Sequence, residues 1–242
     1  MLENKKIESI MNQYHNNMGI GIYKDFEMIY ELNPDLKFLS ASIIKIFILA
    51  YILEKKISVK SVDLSRAKIT EDSILKFLIS PVDSGFLAAL MIAESDNTAA
   101  NYFIDLIGLN ELNNYFKESG FSSTHLGRHF LDYGAIKDGS DNYTSPRDIY
   151  NLFIYAEKRG FYENFLDYLY SQKDHSGCSL YLDDAIKLAG KSGLLGNVMS
   201  DVLFYRYKRH NFLNIIITNN MPPLIAREFI TAYCYNLYLE LK

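Results

Sequence analysis

The sequence predicts an α+β fold: both chain ends build one antiparallel sheet, helices flank it, and an all-helical lobe is inserted between them. Three observations lead there. Strand-like apolar runs bounded by turn residues occur near the N-terminus and return only from Ile186 onward. Between them, apolar residues recur at helical spacing. A last amphipathic helical pattern, from Leu224 to Leu241, supplies a cover for the sheet.

Taken in order, residues 3 to 15 show helical periodicity. Met18-Gly-Ile-Gly-Ile-Tyr and Phe26-Glu-Met-Ile-Tyr then predict two short strands around a Lys24-Asp25 turn. After Asn33-Pro-Asp an apolar helix begins near Ser42. Its stretch from Ile43 to Leu53 falls short of the ~20 residues a membrane span needs and carries Lys45, so it reads as a buried helix. Helical patterns follow, with loops at Ser80–Gly85 and around Gly134–Pro146. Strands are predicted at Ile186–Leu195, Val198–Tyr207 and Phe212–Thr218. The expected division is a sheet-and-helix lobe of residues 1–40 and 184–242 and a helical lobe of residues 41–183, with a cleft between them. No internal repeat or Pro-rich linker argues for further domains.

With 49% of 242 residues hydrophobic, the chain can bury a sizeable core without disulfides or metal. Its 25 basic and 29 acidic residues are interspersed, which excludes a long basic face for nucleic acid or an anionic membrane surface and points to a small-molecule partner. Cys178 and Cys234 are too few for a disulfide framework and read as packed thiols. Met1-Leu-Glu-Asn-Lys-Lys lacks the apolar stretch of a secretory leader, so a cytoplasmic chain is the expectation unless a leader preceded it.

Three short motifs carry chemistry. In Ser42-Ile-Ile-Lys45 a spacing of three sets hydroxyl and amine on one helix face. A serine needs an adjacent base, and a lysine desolvated in an apolar site can lose its proton to serve as one. The spacing recurs at Ser65-Arg-Ala-Lys68 and Ser73-Ile-Leu-Lys76, so context distinguishes Ser42: it follows a predicted sheet and opens an unusually apolar helix. Ser95-Asp96-Asn97 lies at a polar junction between two apolar helices, where it either caps a helix or offers a hydroxyl for proton relay and an amide to hold a substrate amide. Lys191-Ser192-Gly193 sits in a strand-like run, with a cation and a hydroxyl for a carboxylate and a glycine that permits close approach.

Together and in this order, the three match the Ser-x-x-Lys, Ser-Asp-Asn and Lys-Thr-Gly set of class A β-lactamases and penicillin-binding proteins. The flanking Ser95-Asp-Asn-Thr-Ala-Ala-Asn101 and Asn142-Tyr-Thr-Ser-Pro-Arg-Asp148 also resemble that superfamily, through most of the chain. The resemblance implies Ser42 as nucleophile, Lys45 as its base, Ser95 as proton relay and Asn97 as a substrate-amide contact. It implies that Lys191 and Ser192 bind a substrate carboxylate, of a β-lactam or peptide-like molecule, with Gly193 letting the substrate approach, and that the backbone N–H groups of Ser42 and Leu194 form the oxyanion hole. No cofactor or metal is implied.

One departure stands out. Class A enzymes carry a loop glutamate that activates the deacylating water. The corresponding stretch, Gly127 to Asn142, holds Asp132, Asp138 and Asp141 but no glutamate. Asp132 is the only candidate substitute, against the plainer reading of a loop residue pairing with Arg128 or capping a turn. The expectation is a serine hydrolase that acylates and deacylates weakly, with a D,D-carboxypeptidase or esterase as alternative, and a non-catalytic β-lactam or peptide sensor as the alternative of another class.

Two other patterns point elsewhere. Ala185-Ile-Lys-Leu-Ala-Gly-Lys-Ser192 fits a relaxed phosphate-binding loop, but lacks the leading glycine and the helix that should follow. His125-Leu-Gly-Arg-His129 spaces two imidazoles for zinc, but Leu126 stands where a zinc protease needs glutamate.

Overall fold

The computed structural model describes residues 5–64, 68–78 and 81–241. The sheet comes from both ends of the chain. β1 (Met18–Lys24) and β2 (Glu27–Leu32) join β5 (Leu188–Leu195), β6 (Val198–Tyr207) and β7 (His210–Thr218) in the order β2-β1-β7-β6-β5, antiparallel throughout. β1 lies between β2 and β7, pairing Met18 with Thr218 and Lys24 with Phe212. All of β1 but Lys24 is buried, which is why its sequence is apolar or glycine at every position rather than alternating.

The β1–β2 turn falls one residue later than predicted. Asp25 and Phe26 both take positive φ, of 50° and 62°, as a two-residue hairpin whose twist matches its strands requires. Asp25 is held there by the Asn211 N–H and the His210 ring, so a tertiary contact offsets the strain of Phe26 in that position.

Alternate residues of each strand feed two cores. Val202, Phe204, Ile215 and Ile217 face the helices of the chain's middle, while Leu203, Tyr205 and Ile216 face α1 (Lys5–Gln13) and α9 (Pro223–Leu241). α9 buries Ala226, Phe229, Ile230, Cys234 and Tyr238, one stripe at helical spacing. Cys178 and Cys234 are buried free thiols in that same core, where burial and the neighbouring Cys234 push the Cys178 thiol up. On the other face α2 (Lys45–Glu54) is buried from Lys45 to Ile52 on every side and forms the axis of the helical part. Burying each such Ile, Leu or Phe contributes about 1.5–3 kcal/mol, provided its polar neighbours are satisfied.

Around α2 pack α3 (Ser84–Ala93), α4 (Asn97–Ile107), α5 (Leu109–Glu118), α7 (Pro146–Arg159) and α8 (Tyr162–Leu169). The region predicted as a plain loop before Pro146 contains the short α6 (Tyr133–Lys137) and β4 (Tyr143–Thr144), which pairs with β3 (Phe38–Leu39). The run ending at Ser192 continues as β5 into a hairpin with β6, which overturns the phosphate-loop reading, since no helix follows it. No described helix is long and apolar enough to cross a membrane.

Candidate active site

Ser42 stands on a strained turn. Residues Ala41–Ile44 form one 3₁₀ turn leading into α2, and Ala41 is held at φ +44°, which a residue with a Cβ adopts only when its surroundings impose it. Two such constraints are present. The Ser40 N–H donates to the Asn142 carbonyl at 2.9 Å, continuing the β3–β4 pairing up to the turn. From the other side β5 presses in: a Cβ on Gly193 would lie 3.1 Å from the Ser42 nitrogen and 3.2 Å from the Ala41 Cβ. A Cβ there would force strand or turn to give by a few tenths of an ångström, so Gly193 serves the contact between strand and turn.

Lys45 is fully buried one turn on, and its hydrogen bonds run to Ser95 and Asn97: 3.1 Å to Ser95 Oγ, 2.8 Å to Asn97 Oδ1, and a short one to the Ser95 carbonyl. Burial, reinforced by the charge of Lys191, holds its amine well below the usual lysine range, against the opposing pull of Asp96 and Asp72. A neutral amine donates two protons, to the Ser95 carbonyl and Asn97 Oδ1, and keeps a lone pair for a hydroxyl. Ser95 itself sits at φ +55°, and Asp96 caps α4 by accepting from the Ala99 N–H at 2.9 Å. Cap and polar cluster thus coexist in one tripeptide.

The loop from Gly127 to Asn142 closes over this lysine. Arg128 and Asp141 pair at 2.8 Å with both side chains largely buried, and Asn142 Oδ1 accepts from the Gly127 and Arg128 N–H groups. Within the loop the Asn101 side chain grips the backbone of Phe130, donating to its carbonyl at 3.1 Å and accepting from its N–H at 2.8 Å. The Phe130 ring consequently lies over the Lys45 amine, 4.4 Å from ring centre to Nζ. Asp132 is exposed and caps α6, accepting from the Ala135 N–H at 3.0 Å, which is the arrangement of a turn-capping residue. Asp141, rather than Asp132, partners Arg128.

The opposite wall is β5 with the segment after α8. Lys191 is fully buried and donates to the Ser192 carbonyl at 2.8 Å, and burial lowers its amine to about 8 in spite of Asp174 and Asp201. The Gln172 amide donates to the Ile92 carbonyl at 2.7 Å and accepts from the Ser192 N–H and Oγ at 3.2 and 2.8 Å, bridging α3 to β5. Burial pushes the Asp201 carboxyl, on β6 opposite Ser192, up to about 7, although it accepts from the Cys178 N–H.

A cleft of about 470 Å³ opens between these walls, lined by Ser42, Ser95, Asn97, Ser192 and Leu194. Lys45 and Lys191 lie buried beside it. Asp72 and Asp174 also line it, and Asp72 Oδ2 accepts from Asn97 Nδ2 at 2.7 Å. Sequence reasoning passed over Asp72, Phe130, Gln172 and Asp174. Of the rival serines, Ser73 is buried and donates to Asp96 at 2.7 Å, and Ser65 lies outside the described residues. His129 bonds Asp105, and no group of three metal-binding side chains occurs among the described residues.

Comparisons with known proteins bear on the family and the fold. Residues 3–233 match the β-lactamase enzyme family. A β-lactamase from Sphaerobacter thermophilus superposes with a TM-score of 0.80 at 21% identity, over 99% of this chain and 98% of that one. An ancestral class A β-lactamase gives 0.81 at 16% identity, over 98% and 99% of the two chains, and PBP-A gives 0.77 at 21%, over 99% and 96%. No curated protein sequence matches. With the match spanning nearly its whole length, the chain belongs to the β-lactamase enzyme family and is a serine hydrolase of the β-lactamase and transpeptidase fold.

Proposed function

We propose that the protein forms an acyl-enzyme at Ser42 with a β-lactam or a related amide or ester and releases the acyl group slowly. The cleft lies between a sheet-and-helix lobe, residues 1–40 and 184–242, and a helical lobe, residues 41–183. Ser42 Oγ attacks the substrate carbonyl as its proton passes to neutral Lys45, and the oxyanion is stabilised by the backbone N–H groups of Ser42 and Leu194. The carbon–nitrogen or carbon–oxygen bond then breaks, and Ser95 passes the proton from Lys45 to the leaving group. Asn97, Lys191 and Ser192 orient the substrate. The burial of Lys45 and its bonds to Ser95 and Asn97 support this sequence of steps.

The observation that carries slow release is the Phe130 ring over Lys45. Deacylation needs a base beside the water that attacks the ester, and the loop presents an apolar face to Lys45 instead. A variant of PBP-A, 21% identical, is described as an acyl-enzyme complex with penicillin G. The same ring favours a second reading, a D,D-carboxypeptidase or esterase whose natural acyl group leaves by another route.

Intact-mass spectrometry over time with benzylpenicillin tests the reading. A persistent adduct on the native chain and none on Ser42→Ala is the expected result. Rapid turnover without an adduct contradicts slow release, and an adduct on Ser42→Ala moves the nucleophile elsewhere.

A further inference from the structure

Among the described residues, the charged side chains lining the cleft are Asp72, Glu94 and Asp174 with Lys173. Asp174 lines the cleft together with Ser192. Desolvation acts to raise it, but hydrogen bonds from Ser176, whose N–H lies at 3.0 Å, and the charge of Lys191 hold it below the usual carboxylate range. Lys191 therefore already faces two carboxyl groups of its own chain, Asp174 and Asp201. The Ser192 hydroxyl is likewise engaged, with Gln172 at 2.8 Å. A carboxylate brought to Ser192 would meet the fixed negative charge of Asp174. An amine brought to the same place would find an ionised partner.

Resting on the acyl-enzyme reading above, we propose that Asp174 is a specificity-determining residue that turns this cleft away from anionic acyl donors and toward substrates that are neutral or carry an amine at the end held by Ser192. The device is repulsion built into the site, which separates substrates more sharply than a lost attraction does. The Asp174 side chain is exposed and accepts from the Ser176 N–H at 3.0 Å.

Three probes with one acylating ring read this out: benzylpenicillin, its methyl ester and its 2-aminoethyl amide, with charges of minus one, zero and plus one at the same position. Second-order labelling of Ser42 by intact mass is expected to be slower for the free acid than for the other two by about tenfold or more, and Asp174→Asn is expected to recover most of that factor for the acid while slowing the amine. The proposal is overturned if the free acid labels the native chain as fast as its ester, or if Asp174→Asn leaves the ratios unchanged. Labelling by all three in the wrong order sinks the specificity alone. Labelling by none removes the acyl-enzyme reading, and this inference with it.

Discussion

The ring of Phe130 lies 4.4 Å from the amine of Lys45, held there by two hydrogen bonds between its backbone and the Asn101 side chain. An aromatic face attracts a cation and offers nothing to a water that must lose a proton. Phe130→Glu should give the loop the missing base. The expected outcome is a rise in deacylation of about 10²-fold, the lower end of what a positioned base supplies, seen as a burst followed by turnover. An adduct as persistent as in the native chain would count against Phe130 as the cause of slow release.

Lys45 is expected to be indispensable for acylation. Lys45→Ala should slow labelling by about 10³-fold or more, since members of one catalytic unit fail together. Because burial lowers the amine, the acylation rate should rise with pH as the proton leaves Lys45 and level off below the pH at which an ordinary lysine titrates. A profile still climbing at pH 10.5 would mean that the amine is not lowered.

Asp201 makes stability depend on pH in the opposite sense to a paired carboxylate. Its folded value, raised to about 7 from 3.8, means that the native state holds the proton more tightly. The contribution is fully present below pH 4 and is lost as pH rises through 7, reaching roughly 4 kcal/mol on the full difference. Asp201→Asn should flatten the fall in Tm between pH 5 and 8 by several degrees, measured by thermal melts. Parallel melting curves for the two proteins would refute it.

Gly193→Ala should damage labelling more than folding. The new methyl would sit 3.1 Å from the Ser42 nitrogen, so turn or strand must shift by a few tenths of an ångström or more. The stability cost is expected at about 1–3 kcal/mol, while a displaced oxyanion donor lowers acylation by about 10²-fold. Equal acylation rates in the two proteins would show that the contact is not tight.

What was legible in the sequence follows from how local each feature is. Ser42 and Lys45 were readable because their relation needs only one helical turn, and Lys191 to Leu194 because a strand followed by a turn is a local pattern. The Asp25–Phe26 turn was misplaced by one residue because Phe26 tolerates positive φ only while Asp25 is anchored on His210 and Asn211. Asp72, Gln172 and Asp174 were invisible for the same kind of reason. Each reaches the cleft from a loop whose course depends on distant contacts, such as that of Gln172 with the Ile92 carbonyl. Phe130 was missed because the loop was searched for a carboxylate and not for what replaces one.

The pairing of β1 with β7 bears on how the protein is made. Strand β1 emerges early in synthesis and must wait for a partner whose Thr218 pairs with Met18, so β1 keeps one edge unsatisfied until almost the whole chain exists. β5, which presses Gly193 onto the Ser42 turn, also comes late. The nucleophile is therefore shaped only at the last stage of folding. Covalent labelling of Ser42 then reports completed chains, and truncated products from a translation reaction should stay unlabelled even where their helices have formed.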